Sequence, residues 1–134
     1  MAKNLFQGVC AFPLTPLRDQ HIDEAAFTAL LARLTDAGVD ALGVLGSTGS
    51  YAYLTREERA RITRLAVENA GDTPVMVSIG ALRLDDILYL ADDAQRAGVS
   101  GVMLAPVSYQ TPTQDEAFRL YERVTAALSV PLCV

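Results

Sequence analysis

The chain has 134 residues, 51% of them hydrophobic, and a formal net charge of −5 at pH 7, which is a one-domain length with ample material for a core. The acidic balance and the lack of a basic cluster argue against nucleic acid, because neutralising phosphates takes several concentrated Lys or Arg side chains. The opening "MAKNLFQG" has no basic-then-apolar leader pattern and no apolar stretch approaches bilayer length, so the expectation is a cytoplasmic protein that neither enters nor spans a membrane.

Short apolar runs alternate with longer segments of helical period. The first run is "FQGVCAF" (6–12), followed by Phe27, Leu30, Leu31 and Leu34 at steps of three and four. Next comes "DALGVLG" (40–46), then a second amphipathic stretch carrying Ile62, Leu65 and Ala66. "PVMVSIG" (74–80), a third stretch with Ile87, Leu90, Ala91 and Ala94, "SGVMLAP" (100–106) and "VPLCV" (130–134) complete the series. The runs lack polar alternation, as strands covered on both faces do, and the periodic segments read as helices packing on them. Thr55 with Glu58 and Thr113 with Glu116 have capping-box spacing, so two helices start beside these threonines. Gly38, Gly71 and Gly98 stand where the left-handed conformation closes a helix. "AGVDALGVLG" (37–46) and "AGVSGVMLAP" (97–106) share one layout, helix stop then buried strand. Such repeated units predict a parallel α/β fold, either a barrel or a doubly wound sheet. Four units and a trailing strand leave two apolar edges open, which a missing remainder or a second copy would cover.

Both architectures gather ligands at the carboxyl ends of the strands. The loop of Gly46, Ser47, Thr48, Gly49 and Ser50 lies at such an end, as does "PVSYQTPTQ" (106–114). A phosphate-binding P-loop would need Lys followed by Ser or Thr after the last glycine; Ser50 and Tyr51 stand there instead. Two readings of the loop remain open. Its backbone N–H groups and the hydroxyls of Ser47 and Thr48 bind a small anion such as a carboxylate, or it is a plain glycine-rich turn.

Four landmarks in order resemble the N-terminal half of the dihydrodipicolinate synthase and N-acetylneuraminate lyase family of class I, Schiff-base aldolases. They are "AFPLTP" (11–16), "GSTGS" (46–50) followed by "YLTREER" (53–59), "PVMVSIGA" (74–81) and "VMLAPVSYQTPTQDE" (102–116). The resemblance implies a TIM (β/α)8 barrel acting on pyruvate or a related 2-oxo acid, with residues 1–134 as the first four βα units and the start of the fifth strand of one domain. It implies that Thr48, with its backbone, holds the oxo acid's carboxylate, with Gly46 and Gly49 beside it as substrate-binding residues. Ser47 matches a proton-relay hydroxyl, and Tyr109 matches the relay tyrosine that reaches a neighbouring subunit, which implies a homo-oligomer. A carboxylate anchor fixes the ketone while hydroxyls move protons during imine formation. Two positions depart from the pattern: Ser50 replaces the signature glutamate and Ser108 the first tyrosine of the usual pair, as in a divergent subfamily. The family's lysine nucleophile must be partly neutral to attack a ketone. The single lysine here, Lys3, precedes the first strand, where a solvated amine stays protonated near a pKa of about 10.4. The family's lysine ends the sixth strand, so this segment by itself is not expected to be competent. The competing class is a non-catalytic half-barrel or degenerate homologue that binds a small carboxylate or a partner chain.

The remaining candidates receive structural readings. His21, in "RDQHID", is expected to be solvated. Tyr51 and Tyr53 follow the glycine loop, within reach of a substrate there, but alternate as packing residues do and are read so, and Tyr89 and Tyr121 fall within helices as structural residues. Asp85 with Asp86, and Asp92 with Asp93, are helix surface, since adjacent residues do not face each other. Arg56, Arg59, Arg61 and Arg64 read as a solvated face and not an anion site. Cys10 and Cys133, each inside an apolar run, are expected to be reduced and structural. No His, Cys or carboxylate group has metal-ligand spacing, so neither a metal nor a cofactor is expected.

Overall fold

The structure, a computed structural model, describes residues 4–134; Lys3 lies outside the described residues. In chain order the elements are β1 (Cys10–Ala11), β2 (Leu17–Arg18), β3 (His21–Ile22), α1 (Glu24–Asp36), β4 (Ala41–Val44), a 3-10 turn (Tyr51–Tyr53), α2 (Arg56–Asn69), β5 (Val75–Ser78), α3 (Leu84–Ala97), β6 (Gly101–Met103), α4 (Gln114–Thr125) and β7 (Leu132–Cys133). No helix among the described residues is long and apolar enough to cross a membrane.

Five strands form one parallel sheet in the order β1-β4-β5-β6-β7. The order never reverses, so the sheet has no switch point and the doubly wound alternative falls away. Crossovers of one hand that always step in the same direction place their helices on one face, and α1 packs on α2, α2 on α3 and α3 on α4 in a single layer. Between helices and sheet lies the main core. Leu42, Val44, Val77, Val102 and Leu104 meet Phe27, Leu31, Ile62, Ile87 and Val124 there, all nearly or completely buried.

The alternate strand positions face inward. Ala41 and Met76 form a smaller cluster with Leu5, flanked by Cys10, Met103 and Cys133. Cys10 and Cys133 belong to the two edge strands yet pack on this same cluster, as a sheet curled about its inner face requires. Both cysteines are free and half-buried; burial, and then Cys133, push the Cys10 thiol up.

The helix boundaries follow their sequence signals. Thr55 and Thr113 each complete a capping box with Glu58 and Glu116. Gly38, Gly71 and Gly98 take φ of +78°, +55° and +86° just past α1, α2 and α3. The strand ladders are shorter than the apolar runs, because the ends of those runs leave the sheet to line its rims. One element was not foreseen, the antiparallel hairpin of β2 and β3. Its two-residue turn places Asp19 and Gln20 at φ +50° and +67° without the glycine that usually marks such turns. His21, exposed as expected, sits in its second strand.

Candidate functional site

At the end of β4 the chain turns sharply. Leu45 is fully buried yet takes φ +57°, and Ser50, closing the loop, takes the same φ. Left-handed non-glycine residues cost on the order of 1–3 kcal/mol and persist only where surrounding contacts impose them. The Ser50 N–H donates to the Ser47 carbonyl at 3.1 Å. A Cβ on Gly49 would lie 2.9 Å from the Leu45 nitrogen, so the turn closes only around glycine. The Thr15 hydroxyl, from "AFPLTP", donates to the Gly49 carbonyl at 2.7 Å and clamps the loop from the β1 side.

The loop forms one wall of a cavity of about 300 Å³ at the carboxyl ends of β1, β4, β5 and β6, lined by Phe12, Gly46, Ser47, Thr48, Tyr51, Ser78, Met103 and Ala105. The Phe12 ring lies against glycine: a Cβ on Gly43 would approach Phe12 Cε1 to 2.5 Å, and one on Gly46 would approach Cδ1 to 3.2 Å. No Asp, Glu, His, Lys or Arg lines it. The backbone N–H groups of Gly46, Ser47, Thr48 and Gly49 donate to no protein acceptor among the described residues. A small mouth offering hydroxyls and unpaired N–H groups suits an anion with oxygen acceptors, a carboxylate above all.

Of the residues singled out from sequence, the structure brings Gly46, Ser47 and Thr48 together on the cavity wall. Gly49 is buried behind them and shapes the turn. Tyr109 stands apart, 96% exposed on the 105–113 loop. Tyr51 packs against the core, as expected, and also lines the mouth. Tyr53 does not pack: it is 88% exposed, because the 3-10 turn points its second tyrosine outward. Tyr121 is held within the fold by its hydroxyl, which donates to the Leu104 carbonyl at 2.9 Å, whereas Tyr89 lies half-exposed under Arg56.

The arginine face needs correction at one position. Arg56 pairs with Asp93 and Arg61 with Glu24, both at the surface, and Arg64 is exposed. Arg59 is instead only 6% exposed. Its Nη1 donates to the Gly80 carbonyl at 2.8 Å and its Nη2 to the Ser78 carbonyl at 2.9 Å. The Tyr51 ring lies 5.2 Å from its Cζ, and no carboxylate pairs with it among the described residues. Burial pulls its pKa down to about 10, with Tyr51 opposing, so it stays charged at neutral pH. Periodicity carried the signal: position 59 continues the buried stripe of Ile62 and Ala66 at three- and four-residue steps. No cluster of potential metal ligands occurs among the described residues.

The Dihydrodipicolinate synthetase family profile matches residues 5–134. A 4-hydroxy-tetrahydrodipicolinate synthase from Hyphomonas neptunium is 33% identical over 96% of this chain and 44% of its own length. The crystal structure of a dihydrodipicolinate synthase from Agrobacterium tumefaciens superposes with a TM-score of 0.91 at 48% identity, over 95% of this chain and 43% of that one. A prophage protein of the dihydrodipicolinic acid synthase family from E. coli K12, solved in complex with pyruvate, gives 0.90 at 30% identity over 96% and 44%. The chain thus spans less than half the length of these relatives. With the unreversed strand order and the Gly46–Ser50 turn, this places the chain in the dihydrodipicolinate synthetase family, as the first four βα units and fifth strand of its (β/α)8 barrel.

Proposed function

We propose that the complete protein is a Schiff-base-forming lyase acting on pyruvate or a related 2-oxo acid, and that residues 1–134 are the N-terminal half of its single barrel domain, carrying the carboxylate anchor. The observation that carries this reading is the set of unpaired N–H groups and hydroxyls of Gly46, Ser47 and Thr48 on the cavity wall at the strand ends. A pyruvate complex in a relative of this fold supports the substrate class.

In this reading a lysine amine, supplied by the remaining half of the barrel, attacks the ketone carbon and expels water to form the imine. Thr48 and the loop amides hold the carboxylate, which fixes the ketone's orientation. Ser47 passes protons beside it, and Tyr109, exposed on its loop, reaches the site of a neighbouring subunit in a cytoplasmic homo-oligomer. No metal or cofactor takes part.

Thr48→Val in the complete gene product tests the anchor. Losing the hydroxyl but keeping the shape should lower turnover at low pyruvate by about ten- to a hundred-fold, as loss of a hydrogen bond to a charged group does. Unchanged turnover would remove Thr48 from the role. A correctly folded complete protein that binds a carboxylate without turning it over would favour the non-catalytic alternative.

A further inference from the structure

The ladder between β4 and β5 stops where the site begins, and its register shows what was displaced. Leu42 pairs with Val75, Gly43 with Met76 and Val44 with Val77, and the Leu42 N–H donates to the Pro74 carbonyl at 2.9 Å. In a parallel ladder this bond recurs every second residue. Continued past Val44, the strand would therefore join the N–H of Gly46 to the carbonyl of Ser78, and that of Thr48 to the carbonyl of Gly80. The other side of β5 confirms the parity, because Val75 accepts from the Ser100 N–H and Ile79 donates to the Met103 carbonyl on the β6 side. The carbonyls of residues 78 and 80 hence face β4.

Neither expected bond forms. Leu45 turns the chain out of the sheet, and the two carbonyls accept from Arg59 instead, Ser78 from Nη2 and Gly80 from Nη1. The planar guanidinium takes the place of two strand amides. Its position is otherwise unfavourable: it is a buried cation without a carboxylate, in the first turn of α2, where the helix dipole opposes positive charge. Tyr51 lies against Arg59 on one side and close to Gly80 on the other, and also lines the mouth.

We propose that Arg59 is a positioning residue for substrate binding: by satisfying the β5 carbonyls of Ser78 and Gly80, it leaves the N–H groups of Gly46 and Thr48 free to hold the carboxylate. It acts through the loop and the β5 end and does not touch the substrate. The inference rests on the carboxylate-anchor reading of the preceding section.

The test compares Arg59→Met and Arg59→Lys with the unaltered complete gene product. It measures equilibrium pyruvate binding by calorimetry, the borohydride-trapped pyruvate adduct by mass, and thermal melting. Arg59→Met should weaken pyruvate binding about ten-fold or more, the scale of losing one or two charge-assisted contacts, while saturating pyruvate still drives the adduct to the unaltered protein's yield. Arg59→Lys, whose single ammonium cannot span both carbonyls, should fall between the two, and it decides the matter if the methionine variant does not fold. A lowered melting temperature with unchanged pyruvate affinity would overturn the proposal and leave Arg59 a structural residue. If the unaltered protein binds pyruvate without an adduct, the imine reading falls while the binding constants still decide Arg59. If it binds no pyruvate, both fall.

Discussion

The Thr15 hydroxyl donates to the Gly49 carbonyl across 2.7 Å in a buried contact between residues 34 apart in sequence. It ties the segment after β1 to the loop after β4, so the position of one strand end sets the shape of the other. Thr15→Val keeps the side-chain volume but strands a buried carbonyl, which costs about 1–3 kcal/mol. The expected result is a lower melting temperature together with a raised half-saturating pyruvate concentration. A change in stability alone would uncouple the clamp from binding.

Gly49 and Gly38 make a matched pair. A Cβ on Gly49 meets the Leu45 nitrogen at 2.9 Å and its Cα at 3.0 Å, backbone atoms that cannot swing away. Gly38 has nothing within 4 Å of an added Cβ but holds φ +78°. Gly49→Ala should destabilise by about 1–3 kcal/mol through forced opening of the turn and abolish pyruvate binding. Gly38→Ala should cost about 1 kcal/mol through its left-handed backbone and leave binding intact. Calorimetry and melting on both variants separate the two mechanisms.

Gly43 gives the Phe12 ring its room. An alanine Cβ there would stand 2.5 Å from Phe12 Cε1, and the ring, 45% exposed, can swing aside. Gly43→Ala is therefore expected to change stability by less than about 1 kcal/mol while altering the relative affinities of pyruvate and bulkier 2-oxo acids. Identical affinities for all of them would show that Phe12 does not shape the mouth.

Acid should loosen the helix starts. The Asp23 carboxyl is held below its ordinary value by the Ala26 N–H it accepts and then by Arg18. Glu116 is held low by the Thr113 backbone N–H and Glu24 by Arg61. Each folded pKa is depressed, so the stabilisation is complete above the unfolded value, near 4, and disappears as pH falls through the folded one. Melting temperature should hence drop as pH falls below about 4, and Asp23→Asn, which keeps a capping oxygen, should flatten part of that drop. Melting curves of Asp23→Asn that track the unaltered protein down the pH series would contradict the assignment.

The sequence was most informative where one residue does one job. The threonine–glutamate capping pairs and the closing glycines located the helix ends, because each signal acts within four residues. The strands were read too long, since an apolar residue beyond the ladder looks like one inside it. The β2–β3 hairpin was hidden because Asp19 and Gln20 adopt positive φ without glycine. In the candidate site, Gly46, Ser47 and Thr48, which line its cavity, were legible from their composition and place after a buried strand. Thr15 was not, because its partner lies far along the chain. Arg59 was misread because its charge suggested solvent, although its helical phase pointed to the core. Tyr53 failed in the opposite sense, an aromatic in alternation that the 3-10 turn leaves exposed.

The central claim is that this chain carries the carboxylate half of an imine-forming site. Treating the complete gene product with pyruvate and borohydride and mapping the modified peptide by mass spectrometry tests it most directly. The expected result is a reduced pyruvate adduct on a lysine outside residues 1–134, formed at higher pyruvate concentrations in Thr48→Val. An unchanged mass in a folded protein, or an adduct confined to Lys3, would contradict it.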